Sequence, residues 1–172
     1  DGVDDIGFAD IIPDAVEREF NLTIRNVYAA GYSQGGIFVH HLACERTDRY
    51  EGFAVVAGLM SVPVRTTCEP SAPVSFLGIH GSQDAVIPFN GVPSGSQALV
   101  GAVETAVFWK ENASCETIER SVGVGGLDVR SWSSCETGAR VRLVEILGGG
   151  HAWPRSGPVD TPSFIADFFE LR

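Results

Sequence analysis

Apolar positions along the chain fall into two periods. From Asp4 to Phe20, Ile6, Phe8, Ile11, Ile12, Ala15, Val16 and Phe20 recur at mostly helical spacing, and Asp4 or Asp5 can cap the start. Pro13 interrupts this pattern and predicts a kink or a division of the helix. Asn26–Tyr32, Phe53–Ala57 and Val74–Ile79 are short continuous apolar runs that predict buried strands, and Val141–Leu147 predicts a further strand. Leu127–Ser133 alternates Leu127, Val129 and Ser131 against Asp128, Arg130 and Trp132, as a half-exposed strand does. Between these, Gln34–Cys44, Gln97–Trp109 and Pro162–Leu171 have helical spacing. Continuous apolar strands alternating with helices predict an α/β fold: a mostly parallel sheet with helices on both faces.

The chain has 172 residues and a formal net charge of −10, with 44% apolar and 20% charged residues. That composition excludes a disordered or repetitive chain, and the length is enough for one core, so 1–172 is read as a single domain. The acidity argues against sequence-independent nucleic-acid binding, which needs Lys and Arg to neutralise phosphates. No apolar run reaches the roughly eighteen residues of a membrane-spanning helix. The chain starts Asp1-Gly2-Val3 with no initiator Met and no signal-like segment, as expected of a processed or excerpted polypeptide.

Four cysteines, Cys44, Cys68, Cys115 and Cys135, lack the paired spacing of a structural zinc site. Three disulfide pairings are possible. The two short-loop bridges, Cys44–Cys68 and Cys115–Cys135, are the expected ones, and four buried thiols are the alternative. Disulfides imply an oxidising compartment and hence export. The sequons Asn21-Leu22-Thr23 and Asn112-Ala113-Ser114 arise easily by chance and carry no weight.

The chemistry concentrates at strand ends. Gly31-Tyr32-Ser33-Gln34-Gly35 is a G-x-S-x-G between a strand and a helix, where the glycines allow a sharp turn that presents Ser33 at the helix N-terminus. The Gln34 N–H is then the first expected oxyanion donor. Ile79-His80-Gly81-Ser82-Gln83-Asp84 places an acid just beyond a buried strand, suited to orienting a histidine. Gly148-Gly149-Gly150-His151-Ala152-Trp153-Pro154 follows another strand, and His151 is the candidate general base. Ser, Asp, His, each after a strand, is the chain order of the α/β-hydrolases. Trp153 is a candidate wall of the substrate cleft. Tyr32 and Gln34 flank the nucleophile, within reach of an acyl group. His40 and His41 are expected to pack or face solvent, His80 to fix its turn through hydrogen bonds, and Trp109 and Trp132 to pack.

On Val27–Arg49, Phe53–Gly58, Ile79–Phe89 and Gly148–Pro154 the chain resembles the secreted polyhydroxybutyrate depolymerase / feruloyl esterase family, α/β-hydrolases related to acetylxylan esterases. The G-G-G-H-x-W-P ending is the most specific element. The resemblance implies a secreted or periplasmic serine esterase with nucleophile Ser33, acid Asp84 and base His151. Cys44 and Cys68 match the family's half-cystines. It implies no metal or organic cofactor, and ester substrates: polyester oligomers, feruloyl or acetyl esters, small synthetic esters. Family members carry a segment ahead of this region that supplies the first strands and a second oxyanion N–H. The resemblance implies that this chain corresponds to the C-terminal, triad-bearing portion. The strand Asn26–Tyr32 is then expected to have an open edge, available to a second copy or a second chain. A binding module on the same fold, and a peptidase or acyltransferase on the same triad, are the other readings.

Overall fold

The computed structural model describes residues 2–157 and 159–171. Its centre is a six-stranded sheet built from β1 (Tyr28–Tyr32), β2 (Gly52–Val56), β3 (Ser75–Gly81), β4 (Thr117–Val122), β5 (Leu127–Ser133) and β6 (Val141–Ile146), in the order β1-β2-β3-β6-β5-β4. β1, β2, β3 and β6 are parallel; β5 and β4 add antiparallel. β7 (Arg155–Ser156) and β8 (Val159–Asp160) form a separate two-stranded ribbon. The helices are α1 (Asp5–Phe20), α2 (Gln34–Glu45), α3 (Val62–Thr67), α4 (Ala102–Asn112) and α5 (Thr161–Phe168).

Both faces of the sheet are covered, as the continuous apolar strands require. One face packs Phe53, Val55, Phe76, Val141 and Leu143 against Val39, Leu42 and Ala43 of α2 and Ala106 and Trp109 of α4. The other packs Ala54, Val56, Leu77, Ile79 and Val144 under Phe168 of α5 and the following Phe169. Trp109 and Trp132 are buried packing residues, as expected.

Several boundaries differ from the sequence expectation. Pro13 does not divide α1. The helix runs through it, capped by Asp4, whose carboxylate accepts from Gly7 N–H at 2.7 Å, and tied by the ion pairs Arg46–Asp10 and Arg49–Asp14 to the C-cap of α2 and the turn that follows. The helix expected from Gln97 starts only at Ala102. The preceding residues are instead laced into a loop, with Leu99 N–H and carbonyl both bonded to Val92 at 2.9 Å and Val62 N–H donating to Ala98 O at 3.0 Å. α3 carries no apolar stripe. It forms because Ser61 caps it, accepting from Val64 N–H, and because Pro63 sits in the first turn, where its missing N–H costs nothing. β4 is exposed at every position, so it has no buried face to betray it. Asp128, expected on a solvent side, is buried and held by the guanidinium groups of Arg120 and Arg130.

Cys44 is paired with Cys68, fastening α2 to the end of α3, and Cys115 with Cys135, across the β4–β5 hairpin. With 24 residues between its ends, the first bridge restricts the unfolded chain by about 3 kcal/mol. The double variant Cys44→Ser/Cys68→Ser is expected to lose about that much in urea unfolding, without change in the sheet's circular dichroism signal.

His40 is 1% exposed, with its ring 5.4 Å from Phe76 and 6.1 Å from Trp109, and it accepts a hydrogen bond from Trp109 Nε1 at 3.2 Å. His41, next to it, faces solvent. Burial pushes the His40 imidazole down from 6.5 to about 3. The unfolded chain therefore takes up this proton near pH 6.5 and the folded chain does not. Stability from this residue is complete above about 6.5 and is lost progressively as pH falls toward 3. Between pH 7 and pH 4 the loss is about 3 kcal/mol. His40→Gln keeps an acceptor for the indole N–H and is expected to flatten the dependence by that amount, measured as the difference between urea unfolding at the two pH values.

Candidate active site

The C-terminal ends of β1, β3 and β6 meet at one point. The chain leaves β1 at Ser33 with φ 56° and enters α2 directly. That conformation is uncommon for a residue with a side chain and marks a strained turn. Neighbours without side chains make it possible: a Cβ on Gly31 would stand 2.2 Å from Gly35 O, and one on Gly58 would stand 2.9 Å from Ser33 O. Serine at a helix N-cap ordinarily bonds to the first turn, yet Ser33 makes no such bond. Its Oγ lies instead 2.8 Å from His151 Nε2. Ser33 O accepts from the Gly36 and Ile37 N–H groups, leaving Gln34 N–H in the open first turn, without an intrahelical acceptor.

Asp84 follows β3 and is buried. Its Oδ1 accepts from Val86 N–H and Ile87 N–H, each at 2.8 Å, and its Oδ2 lies 2.8 Å from His151 Nδ1. Burial pushes this carboxyl up, but the His151 bond and the two backbone donors outweigh it and hold the group below its usual range. His80, buried at the end of β3, lies with Nε2 2.8 Å from Ile87 O and 3.4 Å from Asp84 Oδ2. A carbonyl only accepts, so His80 carries its proton on Nε2 and pins Ile87, the residue whose own N–H holds Asp84. Burial lowers its imidazole, against the opposing pull of Ile87 O and Asp84. This is the turn-fixing role expected of it.

His151 sits on the glycine loop after β6. Gln83 N–H bonds to Gly149 O at 2.8 Å and Gly148 N–H to Ser82 Oγ at 2.8 Å, stitching this loop to the one that carries Asp84. A Cβ on Gly81 would lie 2.3 Å from Gly149 O, so only glycine allows the two loops to approach this closely.

A cavity of about 540 Å³ opens at Ser33, lined by Ile37, Pro63, Val86, Ile87 and Leu99 among others, with Gln34, Ser61, Ser96 and Gln97 as polar groups and no ionisable side chain among the described lining residues. Gln34 also borders a second cavity of about 510 Å³ against Phe8 and Ile12 of α1 and Phe38 of α2. Trp153 lines neither. It stands edge-on to Tyr32, with ring centroids 6.3 Å apart. The residues sequence reasoning passed over are those of the laced 92–99 loop, whose Pro-Ser-Gly-Ser-Gln stretch carries no motif.

The sheet order and helical covering define an α/β-hydrolase fold. Among solved structures the chain is similar to an acetyl xylan esterase from Aspergillus awamori, with a TM-score of 0.67 at 12% identity, covering 97% of this chain and 67% of that one. It is similar also to esterase PE8, with a TM-score of 0.57 at 16% identity, covering 96% and 58%. No family model matches the chain. In sequence it is 29% identical to the protein named "Putative esterase NocK" of Nocardia uniformis, over 87% of this chain and 48% of that protein. It is 35% identical to "Probable feruloyl esterase C" of Aspergillus clavatus, over 52% and 32%, and 21% identical to "Bifunctional acetylxylan esterase/xylanase XynS20E" of Neocallimastix patriciarum, over 97% and 24%. The chain is thus related to hydrolases named as feruloyl and acetylxylan esterases, and it spans about half or less of the length of these curated relatives.

Proposed function

We propose that the chain hydrolyses carboxylic esters through Ser33, His151 and Asp84. The observation that carries this reading is the unbroken hydrogen-bonded line from Ser33 Oγ to His151 Nε2 and from His151 Nδ1 to Asp84 Oδ2, each step 2.8 Å. Ser33 Oγ attacks the ester carbonyl while His151 Nε2 takes its proton. Asp84 accepts from Nδ1–H and stabilises the imidazolium. The Gln34 N–H faces the developing oxyanion. His151 then returns the proton to the leaving alcohol, and water, activated by the same imidazole, releases the acid from the acyl-enzyme.

The uncharged cavity at Ser33, in a protein of net charge −10, favours neutral esters. The relatives' names point to feruloyl and acetyl esters as the first substrates to assay, with polyester oligomers beside them. Core clusters on both faces of one sheet support reading 1–172 as one domain. Two disulfides fit an oxidising, extracytoplasmic compartment. Among the described residues β1 pairs with β2 alone, so its other edge is where a further strand, from a second copy or another segment, would add.

A fluorophosphonate probe with p-nitrophenyl acetate as reporter tests the reading. Stoichiometric labelling at Ser33, with hydrolysis lost in step, is the expected result. A folded chain that neither labels nor turns over would refute it.

A further inference from the structure

His151 reaches the site on three consecutive glycines, with Gly148 at φ 74°. Such a loop has high backbone entropy, so an imidazole on it holds position only where other groups fix it. Asp84 fixes Nδ1. A second set of contacts comes from a different element. Tyr32, at the end of β1, places its ring 5.2 Å from the His151 ring at an angle of 35°, and its hydroxyl donates to His151 O at 3.4 Å. Trp153, half-buried against the α5 face of the sheet, meets the Tyr32 ring edge-on at 89°. Tyr32 is 38% exposed, and neither it nor Trp153 lines the cavities at Ser33 and Gln34.

We infer that Tyr32, backed by Trp153, is a positioning residue for His151, holding both the backbone and the ring of the base independently of Asp84. This rests on the reading of His151 as general base. The three contacts form a stack running from the second core cluster through Trp153 and Tyr32 to the imidazole. A tyrosine face within about 6 Å of a cation attracts it, so the brace strengthens when His151 holds the Ser33 proton. An interaction that grows as the transition state forms acts on kcat and leaves KM in place. Trp153 and Tyr32 thereby act through His151 and not by touching the substrate.

The test is steady-state kinetics with p-nitrophenyl acetate on Tyr32→Leu, Tyr32→Phe and Trp153→Leu, each checked by thermal melting. Tyr32→Leu is expected to lower kcat about tenfold, short of the roughly hundredfold cost of a 1 Å misplacement, with KM unchanged within about twofold. Fluorophosphonate labelling of Ser33 should slow by the same factor. Tyr32→Phe keeps the ring and should restore most of the rate. Trp153→Leu should lower kcat about threefold, and it decides the matter should Tyr32→Leu lose the fold. A rise in KM at constant kcat would mean that these rings bind substrate, and unchanged kinetics would mean that no brace exists; either overturns the proposal. If the parent neither labels nor hydrolyses, the esterase reading fails and the brace is read by proton NMR. The His151–Asp84 Nδ1–H signal should then broaden in Tyr32→Leu and stay sharp in Tyr32→Phe. A signal equally sharp in all forms overturns it.

Discussion

Ser33→Ala is expected to lower kcat/KM for p-nitrophenyl acetate by about 10⁴-fold or more, to the level set by binding and oxyanion stabilisation alone. In the proposed mechanism Ser33 Oγ forms the acyl bond and lies 2.8 Å from His151 Nε2, the nitrogen that would take its proton. The fold should be indifferent to the change. Ser33 makes no cap bond to α2, and alanine tolerates φ 56° no worse than serine does. Melting temperature should therefore stay within a few degrees of the parent while activity disappears. A parallel loss of stability would mean that the Ser33–His151 bond serves the fold.

Asp84→Asn is the second large effect, and hydrogen-bond bookkeeping predicts its direction. The Val86 and Ile87 N–H groups both aim at Oδ1, so the amide oxygen must occupy that position. The amide NH₂ then replaces Oδ2 and presents a donor to His151 Nδ1. His151 must move its proton to Nε2, where it can no longer accept from Ser33. The same NH₂ also faces the His80 Nε2–H. Activity is expected to fall about 10⁴-fold with near-parent geometry, measured by kcat/KM and by a crystal structure of the variant. Stability has a matching signature. Because the folded carboxyl lies below its ordinary value, Asp84 contributes stability above the unfolded value of 3.8. That contribution disappears as pH falls through the folded value. The asparagine variant should lack this acid-side loss, visible as a flatter stability profile below about pH 4.

How much of this was legible beforehand depended on whether a residue's neighbours in sequence were also its neighbours in space. Ser33 and Asp84 were readable because each follows a continuous apolar run, and His151 because it follows the largely apolar strand Val141–Leu147 and three glycines; such strands end where their glycine turns begin. α3 and β4 were missed for the opposite reason. One is held by a cap and a proline and the other is an exposed edge, so neither has a periodic apolar face. Residues 97–101 have helical spacing but are not helical, because Leu99 and Val100 pair with backbone groups of Val92 and Met60. Asp128 looked solvated because the arginines that neutralise it, Arg120 and Arg130, are ordinary charged residues in sequence.

The sequence by itself determined the class of fold and the order of the three candidate catalytic groups, and made the short-loop disulfides the expected pairing among three, since these rest on local period, turn chemistry and spacing. Tertiary structure alone decided that Ser33 turns its hydroxyl away from its own helix. It decided also that His80 and two backbone N–H groups close around Asp84, that loop 92–99 walls the cavity, and that Tyr32 lies against a histidine 119 residues away. Those arrangements depend on which loop ends the sheet order brings together, and a strand's neighbours across a parallel sheet leave no trace in its own periodicity.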